Sequence, residues 1–384
     1  MRRIAVVTTS RADYSHLYWV LRELDAHPEI ELRLIALGPH LSPEFGMTMA
    51  EIEADGLIVD DRVECLLSSD TDVGMAKTIG VATLGLADVL GRMRPELLLL
   101  IADRYEMLAP AAVALALRIP IAHIEGGEVS EGAIDHAVRN ALTMMSHIHL
   151  TPTAAARRRV LAMGEEEWRV RHVGAPSLDH LSRSRLPCRD ELETELGMSL
   201  APPPLVVAYH PVTLARHTTR EADEVFAALH LVECPIVFSF PNSDAGSREL
   251  IGRAERFCAA RKDARLYVNL GSAIYWGLLD HAAALVGNSS SGIMEAASLG
   301  LPVVNVGIRQ QGRQRAANVV DVPASSEAIV AAIKVALTPE LKASLAGMDN
   351  PYGDGQSAER IVRILASAPL GERLLLKRAV SVDD

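Results

Sequence analysis

Short apolar runs alternate along this chain with longer stretches whose apolar residues recur every three or four positions. Ile4 to Thr8 reads as a strand, Tyr14 to about Asp25 as a helix, Glu31 to Leu37 as a strand, and the residues around Glu44 to Asp55 as a helix. Leu97 to Ala102, Met107 to Leu117 and Ile119 to His123 repeat the order strand, helix, strand. Such βαβα alternation predicts a parallel sheet with helices on its faces. After Val173-Gly174-Ala175-Pro176 the composition turns polar, and Arg183 to Pro187 with Pro202-Pro203-Pro204 reads as linker and loop. A second sheet begins at Leu205 to Tyr209 and continues through Ile236 to Phe240, Ala264 to Val268, Ala283 to Gly287 and Pro302 to Val306, with helices in between. Near the end, Asn350-Pro351-Tyr352-Gly353-Asp354-Gly355 is a turn, followed by Ser357 as an N-cap and a helix turning Ile361, Ile364 and Leu365 inward.

The chemistry-bearing stretch is His123 to Arg139, HIEGGEVSEGAIDHAVR. It leaves a strand, passes through Gly126-Gly127 and enters a helix with Ile134, Val138, Leu142 and Met145 on one face. Glu125 therefore projects from the carboxyl end of a strand, where open α/β sheets bind ligands, and a Gly-Gly pair lets a ligand approach the backbone. Asp135 falls in the first turns of the helix, and two acids at one crevice point to proton transfer. Acids at a helix start also answer the macrodipole, and Asp135 with Arg139 is an i,i+4 pair, so Glu128 and Glu131 read as capping or solvated residues. Glu125 does not, because a cap would not stand between a buried strand and a glycine turn.

A chain of 384 residues exceeds what one core usually serves, which fits two domains, and 49% hydrophobic with 4% aromatic residues fits aliphatic helix-on-sheet packing. The net charge of -11 argues against nucleic acid and anionic membrane as partners. Cys65, Cys188, Cys234 and Cys258 lie far apart, indicating neither a zinc site nor a disulfide framework. The apolar run from Ile4 ends at Thr8, too soon for a signal peptide, and no window reads as the roughly 18 apolar residues of a membrane span. The expectation is a soluble, cytoplasmic protein needing no metal.

A second constellation lies at Leu285 to Glu295, LVGNSSSGIME, a strand running through a small-residue loop into a helix that ends at Gly300. Hydroxyls and free N–H groups at a helix start suit a diphosphate, although the same loop also reads as a plain Ser-rich cap. Arg11, Arg309 and Arg313 all fall in loops after strand ends, and His210 follows the strand that opens the second sheet.

Together these motifs resemble the hydrolysing UDP-N-acetylglucosamine 2-epimerases of the bacterial sialic-acid and legionaminic-acid type. The resemblance is carried by Thr9-Ser10-Arg11-Ala12-Asp13-Tyr14, Asp103-Arg104-Tyr105-Glu106, HIEGGEVSEGAID, His210-Pro211-Val212-Thr213, Pro241-Asn242-Ser243-Asp244-Ala245-Gly246, GNSSSGIMEA and the Asn350 to Gly355 turn. It implies a GT-B fold, two Rossmann-like parallel-sheet domains with an interdomain cleft for the nucleotide sugar, the first over residues 1–176 plus 361–384 and the second over 177–360. It places catalytic acids at Asp103, Glu125 and Asp135. It places substrate contacts at Arg11, His210, Asn242, Ser289, Ser290, Ser291, Glu295 for the ribose hydroxyls and Arg313 near the diphosphate. Gly-Gly-Glu after Glu125 is similar to the hydrolysing subgroup. Ala102 stands where the family commonly has glycine, a change that is harmless at negative φ, and Asn140 and Met144 stand where His and Lys are expected.

The resemblance further implies loss of UDP from C1, removal of the C2 proton to give a 2-acetamidoglucal, and addition of water with return of a proton on the opposite face. UDP and the free 2-epimer, N-acetylmannosamine from the simple substrate, are the products. No cofactor is required, and a homo-oligomer, dimer or tetramer, is expected. A 2,4-diacetamido sugar as substrate, a non-hydrolysing epimerase and a GT-B glycosyltransferase are the alternatives.

Overall fold

The computed structural model describes residues 1–215, 217–239, 243–378 and 380. The chain forms two compact units. One comprises Met1–Glu128, Asp135–Ser182 and Tyr352–Asp384, and the other Val129–Ile134 and Arg183–Pro351. The seams fall at Ser182/Arg183 and Pro351/Tyr352, against 176 and 361 read from the sequence, and the six residues from Val129 to Ile134 leave the acidic turn to join the second unit.

Among the described residues the first unit holds seven parallel strands: β1 (Arg2–Thr8), β2 (Ile30–Leu37), β3 (Val59–Val63), β4 (Leu97–Ile101), β5 (Ile121–Ile124), β6 (Ile148–Thr151) and β7 (Val170–His172). Their order is β3-β2-β1-β4-β5-β6-β7, so the winding reverses between β1 and β4. β4 is LLLLI with every residue buried, the run expected of a strand covered on both faces. The second unit holds β8 (Leu205–Ala208), β9 (Ile236–Ser239), β10 (Ala264–Tyr267), β11 (Ala284–Gly287), β12 (Val303–Val306) and β13 (Val319–Val322), ordered β10-β9-β8-β11-β12-β13 with its reversal between β8 and β11. Both are doubly wound Rossmann-like sheets, the pair of parallel-sheet units that the GT-B expectation requires. In such sheets ligands bind beyond the carboxyl ends of the strands flanking the reversal.

Several elements differ from the sequence reading for local reasons. The stretch from Glu44 to Asp55 breaks into a 3-10 turn at Pro43–Phe45 and a short helix Met49–Ala54, because Gly46 and Met47 both take positive φ. The polar region between Arg183 and Pro204 contains a helix, Arg189–Leu196, closed by Gly197 in the left-handed conformation. The helix Asp72–Met93 is long and apolar enough to cross a membrane by length and composition, with a mean hydropathy of 1.4 over 18 residues, where the sequence reading found no such window. Its Gly74, Thr78, Ala82, Leu86 and Leu90 recur every fourth residue and are buried, and it packs beside the helix Leu108–Leu117.

The C-terminal helix Ser357–Ser367 belongs to the first unit and buries Ile361, Val362 and Leu365, with Ile364 only partly covered. Ser357 is its first residue rather than its cap. The buried carboxylate of Asp179 accepts from the N–H groups of Ser357 at 2.8 Å and Ala358 at 2.7 Å, capping the helix from outside.

Candidate functional site

In the first unit the groups of interest stand where β1, β4 and β5 end. Ser10 caps the helix Arg11–Ala26, so Arg11 is its first residue and not part of a loop. Asp13 turns back to accept from Thr9 N at 3.1 Å and from the Thr9 hydroxyl. Burial pushes its carboxyl up to about 6, opposed by the Thr9 bonds.

β4 and β5 pair with Ile101 beside Ile124, which sets Ala102 and Glu125 at the same level just past the strand ends, with Asp103 one residue further. Ala102 has φ +56° and Glu125 φ +66°. The condition under which alanine at 102 was harmless is therefore not met: it occupies the left-handed region that favours glycine. Neighbouring groups hold both residues there. Ala102 donates its N–H to Ile124 O at 3.0 Å and accepts from His123 Nε2 at 2.8 Å, while Glu125 donates its N–H to Leu150 O at 2.9 Å. His123 is fully buried, and burial pushes it down to about 4, so it stays neutral as that donor. Strain maintained this way at strand ends is a recurring feature of functional sites.

The Gly126-Gly127 turn is closed by the protein itself rather than left open for a ligand. A Cβ at Gly126 would stand 3.0 Å from His123 Nδ1 and Thr143 Oγ1, and one at Gly127 would stand 2.4 Å from Ala156 O. Glu128 is neither a cap nor solvated: it is buried and accepts from Tyr352 Oη at 2.9 Å. Glu131 is exposed.

Asp135 begins the helix Asp135–Met145 and is buried on the same face as Val138, Arg139, Leu142 and Thr143. Arg139, one turn on, is 1% exposed and forms an ion pair with Asp103. That contact ties the helix to the end of β4 and brings its acidic first turn to the carboxyl end of the sheet, where Asp103 and Glu125 stand. A guanidinium beside a carboxylate favours the ionised form of Asp103. Glu125 is met by His16, whose Nδ1 lies 3.0 Å from Oε1. Sequence reading singled out neither His16 nor the Arg139–Asp103 pair. The position of Arg139, i+4 from Asp135 on the buried face, carried a signal; His16 carried none.

In the second unit the reversal between β8 and β11 is stitched by Asn288. Its Oδ1 accepts from His210 N at 2.7 Å and its Nδ2 donates to His210 O at 2.9 Å. Gly287 before it has φ +142°, and a Cβ there would stand 2.1 Å from Ala208 O. Arg309 Nη1 and Gln310 Nε2 donate to Asn288 O at 3.0 and 2.8 Å. Ser289, Ser290 and Ser291 are half-buried, with Ser291 N donating to Ser289 Oγ at 3.3 Å, and Glu295 is 1% exposed. The helix after this loop is shorter than expected, Ser291–Met294, followed by a 3-10 turn Ala296–Leu299 that ends at Gly300. Arg313 is buried and donates from Nε to Val129 O at 3.0 Å, anchoring the excursion from Val129 to Ile134. Asn242 lies outside the described residues. Among the described residues no group of three or more His, Cys, Asp or Glu side chains is arranged to hold a metal ion.

Comparison with known proteins bears on this arrangement. The family described as UDP-N-acetylglucosamine 2-epimerase matches residues 22–366. A Legionella pneumophila UDP-N,N'-diacetylbacillosamine 2-epimerase (hydrolyzing) is 36% identical over 98% of this chain and 99% of its own. A Campylobacter jejuni GDP/UDP-N,N'-diacetylbacillosamine 2-epimerase (hydrolyzing) is 34% identical over 83% of this chain and 84% of its own. A Neisseria meningitidis UDP-N-acetylglucosamine 2-epimerase is 31% identical over 88% of each chain. Among solved structures, a UDP-GlcNAc 2-epimerase from Neisseria meningitidis bound to UDP-GlcNAc superposes with a TM-score of 0.79 at 18% identity, covering 95% of this chain and 100% of that one, a likeness of fold. With its double Rossmann-like architecture, acidic strand ends and a family match over most of its length, the chain belongs to the UDP-N-acetylglucosamine 2-epimerase family.

Proposed function

We propose that this protein is a hydrolysing 2-epimerase that converts a UDP-linked 2-acetamido sugar to UDP and the free 2-epimer. The observation that carries the reading is the trio of carboxyl groups at the sheet end of the first unit. Asp103 is paired with Arg139, Glu125 with His16, and Asp135 opens the helix that supplies Arg139.

The C2 hydrogen of such a sugar is not beside a carbonyl, so it becomes acidic only once the C1–O bond to UDP has broken. Asp103, kept ionised by Arg139, stabilises the positive charge that develops at C1. Glu125 takes the C2 proton, leaving a 2-acetamidoglucal. Water then adds across the double bond: its oxygen bonds C1 and its displaced proton passes to the Asp103 carboxylate, while Asp135, protonated at the outset, gives its proton to C2 from the other face. Glu125 and Asp103 release their protons to solvent and Asp135 regains one, so one water is consumed and the configuration at C2 is inverted. On the nucleotide side, the resemblance assigns to the second unit the Ser289 to Ser291 hydroxyls and N–H groups and Arg313 for the diphosphate, Glu295 for the ribose hydroxyls, and His210, with Arg11 of the first unit and Asn242 as further substrate contacts.

For the sugar, UDP-N,N'-diacetylbacillosamine stands ahead of UDP-N-acetylglucosamine, because the relative at 36% identity carries that name and the one at 34% carries it as a GDP/UDP sugar, whereas the Neisseria meningitidis relative at 31% carries the other. The test incubates the protein in heavy water with each nucleotide sugar alone. Release of UDP with deuterium at C2 of a free sugar is expected, faster from the diacetamido substrate. An unchanged nucleotide sugar refutes the reading for that substrate, and a UDP-linked epimer as final product refutes hydrolysis. Glu125→Gln should abolish turnover and leave UDP binding intact.

A further inference from the structure

A carboxylate that takes a proton from carbon must be held at one angle, and a buried one needs hydrogen bonds in place of water. Glu125 has only 4% of its side chain exposed and a backbone at φ +66°, so its surroundings must fix it against strain. His16 supplies such a contact. A carboxylate has no proton to offer, so the imidazole Nδ1–H donates to Oε1 across 3.0 Å.

The histidine is itself carried rigidly. It lies in the second turn of the helix Arg11–Ala26, whose start is set by the Ser10 cap and by Asp13 bound to Thr9. From the other side His180 Nε2 donates to Ser15 O at 2.8 Å, and its ring stacks on Tyr18, 5.2 Å between centroids. The first turns of one helix therefore place a donor against a carboxylate over a hundred residues away in sequence. We propose that His16 is the positioning residue of Glu125: its Nδ1–H selects the carboxylate orientation that meets the C2 proton. This rests on the acid–base reading of Glu125 given above, and it extends that reading to a residue outside the acidic trio.

The full-length protein is compared with His16→Leu, which keeps bulk alone, and His16→Asn, which keeps a side-chain N–H near the Nδ1 position. Thermal midpoint and UDP binding are measured on each variant, and kcat and KM on the nucleotide sugar that the wild type turns over. The expected result is a roughly tenfold to hundredfold loss of kcat in His16→Leu at unchanged KM and UDP binding, with most of the loss restored in His16→Asn. Wild-type kcat in His16→Leu beside an inactive Glu125→Gln overturns the positioning role while leaving the epimerase reading intact. Equal losses in the Leu and Asn variants overturn the hydrogen-bond basis, and a raised KM at constant kcat overturns it in favour of substrate binding. Turnover by Glu125→Gln instead strikes the acid–base reading itself.

Discussion

Replacing Ala102 by glycine should stabilise this protein, the reverse of what the same exchange does in ordinary backbone. At φ +56° an alanine sits in the left-handed region, at a cost of about 1–2 kcal/mol relative to a right-handed residue. Glycine removes that cost. It also gives back about 0.4–1 kcal/mol through the greater freedom of the unfolded chain, and loses a half-buried methyl worth roughly 0.4 kcal/mol. Both backbone bonds, to Ile124 O and from His123, survive the exchange. The balance is a gain of about 0.5 kcal/mol. The control is Ala87→Gly, exposed inside the helix Asp72–Met93 of the same unit, where glycine costs about 1 kcal/mol. Urea unfolding of the two variants at constant m should separate them by about 1.5 kcal/mol. A loss in Ala102→Gly as large as that in Ala87→Gly would refute the claim of strain. Because Asp103 is the next residue, the relaxed variant should also turn over a few-fold more slowly, stability and activity moving in opposite directions.

Other consequences follow from the buried polar groups. Burial pushes His40 down to about 3 and His123, His147 and His180 to about 4 from 6.5, so the folded state favours their neutral forms. Their contribution is complete above pH 6.5 and is lost as pH falls from there toward 4, and toward 3 for His40, at about 3–5 kcal/mol each. Asp13, raised from 3.8 to about 6, acts with the opposite sign, its contribution lost as pH rises through 6. Four groups outweigh one, so the urea midpoint should fall between pH 7 and pH 5, and a constant or rising midpoint would contradict the assignment. Gly127→Ala forces a Cβ to 2.4 Å from Ala156 O at φ +82° and should cost about 3 kcal/mol in the same unfolding measurement. Tyr352→Phe takes a donor from the buried Glu128 and should cost about 1.5–3 kcal/mol; if Glu128→Gln in the same chain adds its full separate cost, the two are not coupled through that bond.

The parallel-sheet architecture was legible because strands covered on both faces are apolar runs that a reader can find, and β1, β4 and β11 are such runs. β3 and β7 were not, since Val59–Val63 holds two aspartates and an arginine and Val170–His172 is three residues long. At the sheet margins fewer apolar positions are needed, so periodicity fades where burial does. The helix Asp72–Met93 escaped for a related reason. Its buried stripe begins with Gly74, Thr78 and Ala82, small residues that fit close packing but give little hydrophobic signal. Capping of the C-terminal helix by Asp179 could not be read at all, because 178 residues separate donor from acceptor.

The same division runs through the candidate site. Glu125 could be singled out because a strand end is a local feature and an acid between a buried run and a glycine turn is conspicuous, whereas Asp103 entered only through the family resemblance. What orients them is not local: Arg139 reaches Asp103 across 36 positions and His16 reaches Glu125 across 109. The glycines show how a correct position can carry the wrong cause. Gly126 and Gly127 are required, but by His123, Thr143 and Ala156 rather than by a ligand. Their tightness bears directly on the chemistry. A turn packed this closely, beginning with Glu125 at positive φ and followed by a chain that departs at Val129 for the second unit, leaves the glutamate backbone little room to relax. With the backbone held by the turn, the His16 hydrogen bond acts on the side-chain torsions of Glu125 alone, which is where the direction of the carboxylate is set.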